Sequence, residues 1–320
     1  MSLLIVKKIS VSIGAVQPLD AVSFEFDKGE ILGIVGESGS GKSLTAMSVM
    51  GLLPLIGGRI SSGSIQFDGA ELVGMSDSSY RKLRGKRMAL ISQNPMTSLD
   101  PILRVGIQID QVSRLHLGLS AEKAQAHSIE LLQQLRIPDA ATVYHQYPHQ
   151  MSGGMKQRIV IAMALAGNPE LIVADEPTTA LDVTIQAQII QILVDLVRSR
   201  GMGLILITHD MGVVAQACDK VVVLYAGRVA ESNDVHRIFA QPQHPYTQAL
   251  IRCIPRVGQA AGSLKGIAGI VPSVSNYGSG CRFHPRCQLA QDRCKTEIPE
   301  QRVQSPASIA CHFAEEAKNG

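Results

Sequence analysis

The octet Gly36-Glu37-Ser38-Gly39-Ser40-Gly41-Lys42-Ser43 constrains this chain most, because it sits between a run patterned as a buried strand and a run patterned as a helix. Glu30-Ile31-Leu32-Gly33-Ile34-Val35 reads as the strand, and Leu44-Thr45-Ala46-Met47-Ser48-Val49-Met50 as the helix. An ordinary Gly/Ser-rich turn can match eight positions by chance, but it does not require both flanks. Strand, glycine loop and helix in that order form a cradle for phosphate. The glycines let successive backbone N–H groups turn toward an anion, and the helix adds its positive N-terminal end. Gly36, Ser38, Gly39, Ser40, Gly41 and Leu44 build the cradle, Lys42 reaches the β- and γ-phosphates, and Ser43 offers a hydroxyl to magnesium.

About 130 residues further on, Leu171-Ile172-Val173-Ala174-Asp175-Glu176 is an apolar run ending in two carboxylates. A buried strand of this kind delivers Asp175 to the magnesium and Glu176 to an attacking water. Together the two segments specify hydrolysis of a nucleoside triphosphate.

A chain of 320 residues with 45% hydrophobic content can bury a full core, and its length suits one large domain with an appendage or two domains. Thirty basic against 27 acidic residues, with no dense Lys/Arg run, demand no nucleic acid. Apolar runs are broken by Ser48, Gly51 and Pro54 or by Gly167, short of the roughly 18 residues that span a bilayer. The start, Met1-Ser2-Leu3-Leu4-Ile5-Val6-Lys7-Lys8, puts its lysines after the apolar residues, the reverse of a secretory signal, so a cytoplasmic location is expected. Six cysteines in that compartment are expected as thiols or metal ligands rather than disulfides.

Short strands are expected at Leu4 to Ile9, Val22 to Phe26, Ile31 to Val35 and Gly63 to Phe67. Between Pro101 and Gln150 the pattern is helical, with Ile129, Leu131, Leu132 and Leu135 on one buried face. From Gln157 onward, helix alternates with buried strand, which implies a mostly parallel sheet covered by helices. After Pro255 the rhythm lapses: Gly258 to Ser263 and Asn276 to Gly280 read as linkers, and four of the six cysteines follow.

Ahead of the carboxylate strand stands Met151-Ser152-Gly153-Gly154-Met155-Lys156-Gln157-Arg158, which resembles the signature of the ABC transporter ATPases. Taken singly, Ser152 with Gly153 and Gly154 would be a helix cap. In its place between the other two motifs it resembles a second anion cradle at a helix N-terminus. The resemblance covers nearly all of residues 1–255 and implies further roles. Gln93 would meet magnesium and the attacking water, Asp182 would belong to the loop that crosses to another ATPase, and His209 would contact the γ-phosphate. Without the resemblance these three would read as a polar loop residue, a helix cap and a strand-end imidazole. The aromatic residue on which the family stacks adenine is missing from Ser12 to Gln17, where Ile13 stands nearest the expected place.

The fold so implied is a P-loop NTPase, α/β, with a mostly parallel core sheet, an antiparallel β subdomain and a helical subdomain inserted at about 97–160. A small cysteine-containing extension, 256–320, would follow the nucleotide-binding domain, 1–255. The family's arrangement also implies ATP and magnesium, a second ATPase subunit packed head to tail (a paralogue), and two transmembrane permease subunits. An extracytoplasmic solute-binding protein and a peripheral place on the cytoplasmic face of the plasma membrane complete the expectation.

Two segments resemble the dipeptide/oligopeptide/nickel importer branch: the stretch from Asp175 to Ile189, and Pro242-Gln243-His244-Pro245-Tyr246-Thr247-Gln248-Ala249-Leu250. Peptide uptake is the leading expectation. Uptake of nickel or another small solute and a soluble ABC protein of DNA repair or translation are the alternatives; the soluble factors usually carry two ATPase units or a long coiled-coil insertion. Cys281, Cys287, Cys294 and Cys311 have five, six and 16 residues between them, without a Cys-x-x-Cys pair, so a zinc ribbon is not signalled. Their spacing resembles the set with which peptide permease ATPases hold a four-iron four-sulfur cluster; zinc and unligated thiols stay open beside it. Cys218 and Cys253 are expected to be buried thiols.

Overall fold

The structure, a computed structural model, describes residues 2–178, 181–255, 266–304 and 307–314. Thr179, Ala180 and the expected linker from Gly258 to Ser263 lie outside the described residues. Contacts divide the chain into two compact units, one drawn from Met1–Asp27, Ile31–Gly74 and Leu206–Gly320, the other from Lys28–Glu30 and Met75–Ile205.

The first unit holds an antiparallel sheet of four strands, in the order Val16–Asp27, Ser2–Ile13, Gly58–Phe67, Ala70–Glu71. The first two are longer than the alternation of apolar residues suggests. Lys8 and Ala21 take left-handed φ values of 45° and 53°, and the register shifts between Val6 and Ile9, so bulges shift the two-residue period that marks a strand. Gly63 (φ 94°) crosses that bulge, where a Cβ would lie 2.5 Å from the Lys8 carbonyl oxygen, and only glycine fits.

In the same unit Ile31–Val35 is buried at all five positions, each large apolar side chain contributing about 1.5–3 kcal/mol. It runs parallel to Lys220–Tyr225, with Leu32 opposite Lys220 and Val35 opposite Val223. Arg228–Asp234 joins the far edge of Lys220–Tyr225 antiparallel, and Ala307–Ile309 and Arg302–Gln304 extend it. The segment beyond Pro255 is therefore not without regular structure. It also carries the helix Asp292–Thr296, and in the stretch read as a linker Tyr277 stacks under the Arg282 guanidinium at 3.9 Å.

The second unit pairs Met88–Ile91 parallel with Leu171–Asp175, Met88 opposite Leu171 and Ile91 opposite Ala174. Its helices include Asp77–Leu83, Pro95–Ser98, Val105–Leu117, Ala121–Gln134, Ala140–Tyr144, Gly153–Leu165 and Val183–Arg200. The inward face of Ala121–Gln134 runs through Ala124, Ser128, Leu131 and Leu132 to Leu135, whereas Ile129 stands half-buried at its margin. Ser120 caps this helix by accepting the Lys123 N–H.

Candidate active site

In the first unit the loop from Gly36 to Gly41 leaves Ile31–Val35 and enters the helix Lys42–Val49. Gly36, Gly39 and Gly41 have φ of 152°, 80° and 103°. A Cβ on Gly36 would lie 2.2 Å from the Leu224 carbonyl oxygen, and one on Gly41 2.4 Å from Leu19 Cδ2, so neither position admits a side chain. Ser38, Gly39 and Ser43 face solvent, while Lys42 and Ser40 are buried. The Lys42 ammonium donates to the carbonyls of Gly36 and Glu37 at 2.8 and 3.1 Å, which holds its charge over the loop. The Ser40 hydroxyl is buried without a hydrogen-bond partner among the described residues. His209 follows Gly203–Thr208 and is exposed. Ile13 ends its strand half-buried, opposite Val16 and Gly58.

In the second unit Glu176 leaves the strand Leu171–Asp175 with φ 47°, and Gln93 Nε2 donates to its Oε2 at 3.0 Å. The structure thus brings these two side chains together. Ser152 is the N-cap of Gly153–Leu165, accepting the Met155 N–H at 3.3 Å, and it remains exposed. Asp182 likewise caps Val183–Arg200 by accepting the Ile185 N–H at 3.0 Å. Both caps are present, so the cap reading of Ser152 is not displaced by its place in the motif. Gly153 and Gly154 let the second helix approach: a Cβ there would meet Leu181 at 3.3 Å and Ile185 at 2.9 Å. Arg158 donates to the carbonyls of Leu135 and Arg136, securing the C-terminal end of Ala121–Gln134.

Residues that motif reading missed surround the glycine loop. Arg286 donates from both terminal nitrogens to the Glu37 carboxylate, at 2.7 and 2.9 Å, and this pairing holds the guanidinium firmly in its charged form. Tyr246 accepts the Glu37 N–H at 2.9 Å. Burial raises the Tyr246 and Tyr225 phenols above their ordinary range, so both stay protonated. Tyr225, Tyr246 and Phe283 form one aromatic cluster with centroids 4.6, 5.0 and 5.3 Å apart, each pair contributing about 0.5–1.5 kcal/mol beyond burial. Burial drives His244 down to about 4, and the neutral ring accepts the Tyr246 N–H at the head of Pro245–Arg252. Asp20 gathers Arg228 and Arg282.

Cys281, Cys287, Cys294 and Cys311 line one small pocket of about 10 Å³ together with Phe283, His284 and Phe313. Burial raises the thiols of Cys281, Cys287 and Cys311 above the usual range. No group of three or more His, Cys, Asp or Glu side chains is arranged to hold a metal ion among the described residues. No disulfide is formed among the described residues; Cys218 is buried, but Cys253 is only half-buried because it stands at the exposed end of Pro245–Arg252. No helix among the described residues is long and apolar enough to cross a membrane.

Residues 19–179 match the ABC transporter family, and residues 230–294 match the C-terminal region of oligopeptide/dipeptide transporters. Among solved structures, the fold is similar to the dimeric ATP-binding cassette MJ0796 bound to ADP and Pi, with TM-score 0.64 and 26% identity over 72% of this chain and 98% of that one. It is also similar to cbiO1 of Clostridium perfringens, part of the ABC transporter complex cbiONQ, with TM-score 0.66 and 25% identity over 75% of this chain and 91% of that one. Fold and glycine loop together define an ATP-binding cassette ATPase with an antiparallel β subdomain and a helical subdomain. The sequence is 45% identical to the dipeptide transport ATP-binding protein DppD of Escherichia coli (98% of this chain, 97% of that protein). It is 44% identical to the oligopeptide transport ATP-binding protein AppD of Bacillus subtilis (93% and 91%). The chain belongs to the dipeptide/oligopeptide importer branch of the ABC transporter family, as its ATP-binding subunit.

Proposed function

We propose that this chain binds and hydrolyses ATP to drive uptake of di- and oligopeptides, as a peripheral subunit on the cytoplasmic face of the plasma membrane. The observation that carries the solute class is the match of residues 230–294 to the peptide-transporter C-terminal region, in addition to the cassette itself. In this reading residues 1–255 form the nucleotide-binding domain and 256–320 the extension. The partners are two permease subunits, a paralogous ATPase and an extracytoplasmic binding protein that selects the solute. The decisive test is accumulation of labelled di- and tripeptides by cells with and without this chain. Loss of peptide uptake with unchanged nickel uptake is expected; the opposite pattern would assign the nickel reading.

The chemistry is positioning and electrostatics, as phosphoryl transfer requires. The backbone N–H groups of the loop, apart from that of Glu37, which donates to Tyr246, would hold the phosphates, with Lys42 neutralising charge on the transferred group. Ser43, Gln93 and Asp175 offer a hydroxyl, an amide oxygen and a carboxylate, the hard donors that suit magnesium. Magnesium, when bound, would screen the phosphate charges. Glu176, oriented by its hydrogen bond from Gln93, accepts the proton of the attacking water, and His209 contacts the γ-phosphate. Ser152, Gly153 and Gly154 serve the nucleotide on the partner's loop, and Asp182 faces that partner. The exposure of Ser152 and Gly153 supports this, since a buried cap could not reach another subunit.

The four cysteines of the extension are read as ligands of a four-iron four-sulfur cluster. Their common pocket and thiol chemistry support that reading; a cubane would require the side chains to spread, since the pocket holds about one water. Anaerobically purified protein is expected to be brown, with about four irons and four sulfides per chain. Cys294→Ser should bleach it. Zinc without iron or sulfide would replace the cluster with a zinc site, and protein without metal would leave four thiols.

A further inference from the structure

Glu37 is a carboxylate inside a loop built to receive polyphosphate, and such a charge opposes the anion unless it is neutralised and turned away. The structure supplies the neutralising partner from the C-terminal segment. Arg286 takes the two carboxylate oxygens in a bidentate pair, and its side chain is only 4% exposed. The rest of its donor fork is occupied too. Nε donates to the Ala268 carbonyl at 2.8 Å, Nη2 to the Ile267 carbonyl at 3.2 Å and Nη1 to the Tyr225 hydroxyl at 3.3 Å. A guanidinium fixed at all three nitrogens cannot follow the loop, so the loop is held to it.

Main chain and charge are set at the same residue. The Glu37 N–H is fixed by Tyr246, and the Glu37 carbonyl accepts from Lys42. Displacement of Glu37 therefore shifts the lysine ammonium. Arg286 lies in the short helical turn His284–Arg286, directly before Cys287, and Phe283 of the same turn is buried against Tyr225 and Tyr246. Cys281 and Cys287 flank this turn, and both line the pocket shared with Cys294 and Cys311. The turn that carries Arg286 is thus tied at both ends to that pocket and through Arg286 to Glu37.

We propose that Arg286 is a positioning residue for nucleotide, which holds Glu37 so that the loop admits polyphosphate, and that it transmits the state of the four-cysteine pocket to nucleotide affinity. This rests on the reading that the loop binds ATP, but it needs no particular metal at the cysteines.

The test is equilibrium binding of a fluorescent ATP analogue to the assembled transporter, with Lys42→Ala as the control for the loop itself. Arg286→Met should weaken binding on the order of tenfold, the scale of one partly screened like-charge interaction. Adding Glu37→Gln to Arg286→Met should recover most of that loss, because the charge left unpaired is gone; a merely structural role for Arg286 predicts no recovery. Should Arg286→Met not fold, Arg286→Lys, which keeps the charge and loses the fork, is read in the same way with a smaller loss. Cys287→Ser should weaken binding in the presence of Arg286 and add little to Arg286→Met, the non-additivity expected of a shared path. Unchanged affinity in Arg286→Met, with Lys42→Ala clearly impaired, overturns the proposal and leaves ATP binding standing. Full additivity of Cys287→Ser overturns the coupling to the cysteine pocket. Wild-type protein that binds no nucleotide overturns both readings.

Discussion

Glu176→Gln is expected to bind ATP as the wild type does and to lose about 10²–10⁴-fold of steady-state turnover, the range that a positioned general base contributes. The amide keeps the shape of the carboxylate and can still accept from Gln93 Nε2, which lies 3.0 Å from Glu176 Oε2. What it loses is the capacity to take a proton. The strained backbone at this position, φ 47°, is unaffected by the exchange, so folding is not in question. Hydrolysis by the assembled complex and retention of a fluorescent ATP analogue are the two measurements. Turnover within a few-fold of wild type would remove Glu176 from the proton-acceptor role.

Ser152→Arg should abolish turnover at the nucleotide site built on the partner's glycine loop while this chain's own loop still binds nucleotide. Loss of the cap to Met155 costs only about 1 kcal/mol, so the variant folds and the effect belongs to the added bulk at an exposed helix N-terminus. Ser152→Ala isolates the cap contribution. The experiment combines the variant with a wild-type partner and asks, by site-specific trapping of nucleotide, which of the two sites fails. Failure confined to this chain's own loop would reject a head-to-tail pair.

The glycine loop and the carboxylate strand were legible because each is made by a few consecutive residues. Ile31–Val35 is buried along its whole length as its composition requires, and the positive φ values of Gly36, Gly39 and Gly41 are the conformations for which glycine is needed. Bulged strands were legible only in part, since Lys8 and Ala21 shift the alternation that marks them. Arg228–Asp234 carries Glu231, buried at 2% exposure, where an apolar residue would signal a strand. Its carboxylate accepts the N–H groups of Gln243 and His244, so an ordinarily surface-marking residue belongs to the interior. Ser152 and Asp182 show the converse: their motif position is visible in sequence, but both also make the local caps that their residue types favour.

By itself the sequence determined the glycine loop, the strand that feeds it, the helix that follows and the carboxylates after Ala174, because backbone sterics and hydrophobic period act over a few residues. Only the tertiary structure decided what grips that loop. Tyr246 reaches Glu37 across 209 residues and Arg286 across 249, and neither partner alters the local pattern around the other. Their pairing depends on the parallel register of Ile31–Val35 with Lys220–Tyr225 and on the burial of Phe283 against Tyr225 and Tyr246. Burial makes such an ion pair directional and stringent, and burial exists only once the chain has closed on itself.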